Sequence, residues 1–340
     1  MSLIPASPHA RRDRVAARIA GWAVQASLLV SPRPAALLVR RIFADESAER
    51  TREQLATAPP VRAELDRRYG QAPDEVLDLY APLDRADGQF PLIVWVHGGA
   101  FVGGSKEELG GYLRRLAARG FVVAAPGYTL APEARYPTPI RQTLAACQHL
   151  GSSAADLGID ASRVVLAGDS AGAQIAAQTA GVLTNARYAA RLGLAPTLDA
   201  ASLRGAILCC GIFDLGAIRT SGPLGALVRA AAWAYSGERT VRPDGAFATT
   251  ASVDAYLSAA FPPAFVTAGN ADPLLPQSQA LADRLDALGI AVERRFFPPG
   301  HTPPLGHEYQ LHLDLEAARE AFEQIAAFAA RATSHSAAPP

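Results

Sequence analysis

A chain of 340 residues with 49% hydrophobic side chains can bury a sizeable core, which excludes an extended disordered chain. Its 32 Lys+Arg balance 32 Asp+Glu, and a formal charge of zero supplies no long-range attraction for nucleic acid. The three cysteines, Cys147, Cys209 and Cys210, are odd in number and lack a C-x-x-C, so neither a disulfide framework nor a thiolate zinc site is expected.

Taken in chain order, residues 1–70 read as a helical segment: 16–30, 34–44, then the charged stretch 46–68, broken by Pro59-Pro60. Arg11, Arg12, Arg14 and Arg18 precede the apolar run 19–30, an order that an export signal shares. That run is too short to span a bilayer, so a packed lid helix is favoured over membrane-surface contact or a signal. From Glu75 the pattern changes. VLDLYAP (76–82) alternates as a strand does, and PLIVWVH (91–97), FVVAAP (121–126) and SRVVLAG (162–168) are continuous apolar runs of strand length. Helices are expected between them at 107–120 and 139–151, and another after them at 171–186, rich in small residues.

The rhythm resumes with AILCCG (206–211), PPAFVTAG (262–269), a helix at 278–289, IAVERRFF (290–297) and a final helix at 313–332. Strands alternating with helices of this length indicate α/β architecture, a mostly parallel sheet covered on both faces. Residues 212–257 break the rhythm and are expected to form a helical insertion above the sheet, meeting the N-terminal helices. Its segment 223–235 carries Leu224, Leu227, Val228 and Ala231 along one side. The catalytic unit is therefore 71–211 plus 258–332, with 212–257 as lid and 333–340 as a disordered tail.

The central chemical signal is Gly168-Asp169-Ser170-Ala171-Gly172, a G-x-S-x-G set between a strand and a helix. A tight strand-to-helix turn holds such a serine in a strained conformation with its oxygen off the sheet. The helix behind Ser170 points N–H groups and its positive end at a reacting carbonyl. The bland alternative, an ordinary Gly–Ser turn, loses ground once His97-Gly98-Gly99-Ala100-Phe101 is counted, directly after PLIVWV. Attack by Ser170 creates an oxyanion, and the N–H groups of Gly99, Ala100 and Ala171 are its expected donors. His97 and Gly98 are assigned to loop support, and Phe101 to the substrate pocket.

A serine hydroxyl needs a histidine to take its proton and a carboxylate to fix the imidazole tautomer. Of the seven histidines, His301, His307, His312 and His335 follow Ser170. His301 sits after a predicted strand and the bend PPG, and is preferred as base over His307 in the same loop. Asp272 follows the strand AFVTAG and is preferred as acid over Asp214, Asp244, Asp254, Asp283 and Glu308. Asp169 adjoins the nucleophile and is read as a scaffold hydrogen-bonding group.

Together HGGAF at 97–101, GDSAG at 168–172, DPL at 272–274, GH at 300–301 and GYTLAPE at 127–133 resemble the hormone-sensitive-lipase-like family of α/β-hydrolases. The resemblance spans roughly residues 75–330. It implies an α/β-hydrolase fold with a helical lid. It places the nucleophile on Ser170, the acid on Asp272, the base on His301 and a loop-supporting role on Glu133. Three departures stand out: HGGA for the common HGGG, Thr129 for the usual Arg, and Thr302 and two prolines after His301.

The resemblance implies hydrolysis of short- to medium-chain acyl esters without a cofactor, and the triad implies an acyl-enzyme with no metal required. Amidase, lactonase or acyltransferase chemistry on the same triad is the alternative, and a non-catalytic ligand-binding homologue is the alternative of another class. The expected partner is a small-molecule ester, with no nucleic acid and no stable membrane span; a homodimer is compatible. The favoured location is cytoplasmic, with export or membrane-surface association as the alternatives.

Overall fold

Eight strands form one sheet: β1 (Arg62–Arg68), β2 (Val76–Ala81), β3 (Phe90–Val96), β4 (Val122–Pro126), β5 (Ile159–Asp169), β6 (Leu203–Cys209), β7 (Ala264–Thr267) and β8 (Val292–Arg295). They lie in the order β1-β2-β4-β3-β5-β6-β7-β8. β1 and β2 run antiparallel to their neighbours, and every pair from β4 to β8 is parallel. This computed structural model describes residues 30–84, 89–217 and 225–334. Residues 16–29 of the first predicted helix, Trp22 and the possible signal with it, and the tail from 335 lie outside the described residues.

The continuous apolar runs are explained by burial on both faces. In β3, Leu92, Val94 and Val96 enter one core and Ile93 and Trp95 the other, and β4 divides Val122 and Ala124 from Val123 and Ala125 in the same way. Period-two alternation of side chains then gives two cores from one unbroken hydrophobic stretch. The helix Ala171–Thr184 is buried along nearly all its length. Its many Ala and Gly residues allow it to lie close over β5 and β6, at the centre of the sheet.

One expectation is corrected at the N-terminal side. Residues 62–68, read above as part of a charged helical stretch, form the edge strand β1. RAELDRR has only Ala63 and Leu65 at period two, both exposed, so the local strand signal is weak. Pairing with β2 decides it, together with a buried ion cluster. Lys106, 5% exposed, donates to Asp66 Oδ1 at 2.7 Å and to Asp78 Oδ1 at 2.6 Å. Asp78 Oδ1 also accepts from the N–H of Asp66 at 3.0 Å, where the β1–β2 register shifts.

Lys106 therefore ties the edge of the sheet to the end of the glycine loop. Asp66 is largely exposed and contributes little, but Asp78 is 2% exposed and has no route to water. Removing the ammonium leaves a buried carboxylate uncompensated. Lys106→Met is expected to cost about 3–5 kcal/mol of stability, read by urea unfolding. A loss below about 1 kcal/mol would show that Asp78 finds another partner.

The predicted piece 34–44 and the first part of the stretch 46–68 are one helix, Arg33–Ala56, with no break at Asp45. It packs against the insertion helix Gly225–Ser236, where Ala35 and Ala230 are buried together. Of the insertion side chains singled out by sequence, Ala231 is buried and Val228 half-buried; Leu224 and the side chain of Leu227 lie outside the described residues. Among the described residues, no helix is long and apolar enough to cross a membrane.

Candidate active site

Parallel strands deliver their C-terminal ends to one rim, and the loops leaving β3, β5, β7 and β8 meet there. β5 ends at Asp169, and Ser170 takes φ 51° and ψ −119° before the helix Ala171–Thr184 begins. A non-glycine residue at positive φ is strained, and here the strain is held by its surroundings. The N–H of Ser170 donates to the Cys209 carbonyl on β6 at 2.8 Å. Gly172 lets the helix start close over β3: a Cβ there would lie 2.0 Å from the Val96 carbonyl oxygen.

Ser170, 8% exposed, has its Oγ 2.8 Å from Nε2 of His307. Nδ1 of His307 lies 2.9 Å from Oδ2 of Asp272. Oδ1 of Asp272 accepts the N–H of Leu274 at 2.7 Å, which fixes the carboxylate from its own turn. The Asp272 side chain is fully buried, whereas that of His307 is 35% exposed along the edge open to solvent. Nδ1–H donating to Asp272 leaves Nε2 as the acceptor facing Ser170.

The preference for His301 is thereby corrected. Its ring packs on Phe297, with centroids 4.8 Å apart, and its backbone turns back on Pro298. The cause is the path of the loop after β8. The strand stops at Arg295, two residues before the predicted end, so the chain has twelve further residues to place before Glu308. Asn270, in the loop after β7, draws the chain back: its Oδ1 accepts the N–H of Leu305 at 2.8 Å and its Nδ2 donates to the His301 carbonyl at 3.2 Å. The Leu305 carbonyl in turn accepts from Ala271 at 2.9 Å. His307 is therefore set above the Asp272 turn, and His301 is left behind it. Both histidines follow a glycine, so the local motif does not separate them.

Burial opposes the charged form of His307, but its bond to Asp272 and the neighbouring Cys210 override that and raise its pKa well above 6.5. Burial pushes the Cys210 thiol up, so it is neutral at pH 7 and Asp272 carries the stabilisation. Cys210, Asp272 and His307 place ligand atoms within 4.8 Å of one another, a metal-capable grouping among the described residues. Both nitrogens of the imidazole are already bonded, to Asp272 and Ser170, while Cys210 Sγ faces Gln310 Oε1 at 4.0 Å.

The glycine loop stands beside this row. The N–H of Gly98 is committed to Asp169 Oδ2 at 2.8 Å. No acceptor among the described residues takes the N–H of Gly99, Ala100 or Ala171. Ala100 and Phe101 both have positive φ, 53° and 65°, so this turn is strained even where glycine is absent. The His97 ring stacks on Tyr128 at 4.3 Å and its Nδ1 bonds the Gly98 carbonyl at 2.8 Å. Burial lowers the pKa of His97 to about 4, so it is neutral at pH 7. Phe101 is buried and stacks flat on Tyr235 of the insertion helix, centroids 3.8 Å apart.

Sequence reasoning missed Arg40. Its Nε donates to the Val102 carbonyl at 2.8 Å, and its Nη2 to the Ala131 carbonyl at 3.1 Å and to Glu133 Oε2 at 2.9 Å. With Thr129 where the family usually has Arg, the cation behind the glycine loop comes from the N-terminal helix instead. No motif marks Arg40, because its partners lie 62 to 93 residues away.

A mainly parallel sheet carrying a serine on a strained strand-to-helix turn, with histidine and aspartate on later loops, defines an α/β-hydrolase. A family model described as alpha/beta hydrolase fold matches residues 93–301, and the chain belongs to that family. It is similar to an ethyl acetate hydrolase of Pseudomonas putida, 30% identical over 211 residues that cover 61% of this chain and 63% of that protein. The match thus spans less than two thirds of that relative's length. Among solved structures, an esterase of Pyrobaculum calidifontis is 26% identical with a TM-score of 0.69, covering 88% of this chain and 94% of the other. Esterase B of Lactobacillus rhamnosis has a TM-score of 0.75 over 88% and 96% of the two chains; at 24% identity it speaks for the fold alone.

Proposed function

We propose that this protein hydrolyses carboxylic esters through Ser170 as nucleophile, His307 as general base and Asp272 as the group that orients and stabilises the imidazolium. The observation that carries the reading is the unbroken row from Ser170 Oγ to His307 Nε2, 2.8 Å, and from His307 Nδ1 to Asp272 Oδ2, 2.9 Å. Ser170 attacks the carbonyl carbon as His307 takes its proton. The oxyanion is met by the N–H groups of Gly99, Ala100 and Ala171. His307 then protonates the leaving alcohol, and water hydrolyses the acyl-enzyme by the same route in reverse. The similarity to a protein named for ethyl acetate hydrolysis supports a small ester as substrate.

The N-terminal helix and the 212–257 insertion act as the lid in this reading. Their aromatic cluster supports a short- to medium-chain acyl preference: Tyr235 carries Phe101 on one face, with Tyr136 and Phe247 edge-on at 5.8 Å each. Glu133, held by Arg40, and His97 support the loops. No step in this mechanism calls for a metal or cofactor.

The decisive experiment is covalent labelling with an organophosphate followed by mass spectrometry. One phosphoryl group on Ser170 is expected, with parallel loss of p-nitrophenyl butyrate turnover; an unlabelled Ser170 sinks the proposal. In a series of p-nitrophenyl esters, kcat/KM is expected to peak for acyl chains of roughly two to eight carbons. Faster turnover of a long-chain triglyceride than of butyrate esters would overturn that preference.

A further inference from the structure

Resting on the reaction just proposed, we infer that Asp169 and Glu308 share one proton and form a positioning pair that locks the glycine loop, the nucleophile turn and the histidine loop together. Asp169 immediately precedes Ser170, and Glu308 immediately follows His307. Asp169 is 2% exposed; its Oδ1 accepts from Trp95 Nε1 and its Oδ2 from Gly98 N–H, each at 2.8 Å. It thereby ties the end of β5 to both the body of β3 and the loop that follows.

Glu308 reaches the same point from the other side. A Cβ built on Gly98 would lie 2.5 Å from Asp169 Oδ2 and 2.6 Å from Glu308 Oε1, so both oxygens crowd one face of that glycine. The two carboxyl groups thus converge on one point beside the Gly98 backbone. Ionised carboxylates have no donor, so a bond between two of them requires one bound proton. Glu308 also adopts φ 56° and ψ 28°, the left-handed region, at the step where the chain leaves His307. A side chain held beside Gly98 and Asp169 gives a physical reason for a non-glycine residue to hold that conformation.

Burial, with the Glu308 charge beside it, pushes Asp169 up to about 8. The titratable groups around the pair respond differently. Burial raises the Tyr112 and Tyr128 phenols and the Cys209 and Cys210 thiols, raises Glu108, and lowers His97 and His312. The Lys106 ammonium behind the loop is bonded to Asp66, Asp78 and Glu107. His307 must lose a proton to act, so it gives activity as pH rises. The pair must keep its proton, so it removes activity as pH rises.

Linkage sets the sign for stability. A carboxyl whose folded pKa lies above the ordinary 3.8 holds a proton that the unfolded chain has released. Its contribution is full below the unfolded pKa and is lost progressively as pH climbs to about 8, then stays level.

The test compares wild type with Glu308→Gln, whose amide can donate to Asp169 without a proton to lose. Thermal unfolding across this pH range needs no catalytic activity. The stability of Glu308→Gln relative to wild type is expected to grow as pH rises towards 8 and then to level off. In turnover, wild-type kcat/KM is expected to fall above about pH 8, and in Glu308→Gln that limb moves up by roughly one pH unit or more. Glu308→Ala also removes the shared proton but supplies no donor; it should lose the same stability slope and more turnover than Glu308→Gln. Parallel stability curves for wild type and both variants overturn the pair, and so do superposable pH profiles. If wild type hydrolyses no ester, the proposed function fails by itself, while the stability curves still decide the pair.

Discussion

His307→Ala is expected to lower kcat for a p-nitrophenyl ester by about 10⁴–10⁶-fold, while His301→Ala stays within about threefold of wild type. The contrast follows from what each ring touches. His307 bridges Ser170 and Asp272 at 2.8 and 2.9 Å, and without it the hydroxyl has no base within reach. His301 packs on Phe297 and contributes a carbonyl to Asn270, a contact its backbone keeps in the alanine variant. Because the group removed participates in both acylation and deacylation, the loss should appear in kcat and kcat/KM alike. Residual turnover reports the glycine loop and binding alone. Near-normal rates in His307→Ala would mean that another base serves Ser170, and would return attention to the loop at 296–306.

The second large effect is expected from Asp272→Asn, about 10⁴-fold in kcat. The amide keeps the shape of the carboxylate but presents a donor where Nδ1–H needs an acceptor. His307 is then pushed toward the wrong tautomer, with its Nε2 carrying the hydrogen that faces Ser170. The pH dependence should shift as well. Asp272 stabilises the imidazolium and holds the His307 pKa above its ordinary value, so removing the charge lowers it. The acid limb of the residual kcat/KM profile is therefore expected to move to lower pH in Asp272→Asn. An unchanged limb would show that a group other than His307 titrates there. The buried Asp272 also caps its own turn through Leu274, which asparagine can keep through its carbonyl oxygen, so the variant should fold.

These two variants and the Asp169–Glu308 pair act on the same rim by different routes. In the proposed reaction, His307 and Asp272 move or steady a proton. Asp169 and Glu308 hold a proton still, so that Gly98 and the loop carrying Gly99 and Ala100 keep their place beside Ser170. The first kind of loss appears at every pH. The second is expected as the pair's proton leaves.

Much of this site is visible in one dimension because its chemistry is tied to short-range backbone requirements. Ser170 is marked by the small residues its turn demands, and the loop at 97–101 by glycines at the end of an apolar strand. Asp272 is marked by its place just past β7. Each depends on residues within a few positions, so periodicity and spacing suffice. β3 to β7 are legible for a related reason: a strand buried on both faces must be apolar throughout, whatever its neighbours are.

Tertiary structure alone decided between His301 and His307. Both follow a glycine in one loop, and the bonds from Asn270 and Ala271 to Leu305 select the second across more than thirty residues of chain. Long-range pairing likewise turned the polar stretch 62–68 into an edge strand, through β2 and the buried Lys106. It also brought Arg40 to Glu133 and set Glu308 against Asp169. In each case the deciding partner is distant in sequence and the local residues are compatible with more than one conformation. Local backbone chemistry wrote Ser170 and its turn into the sequence, and loop closure over the sheet set His307, not His301, beside it.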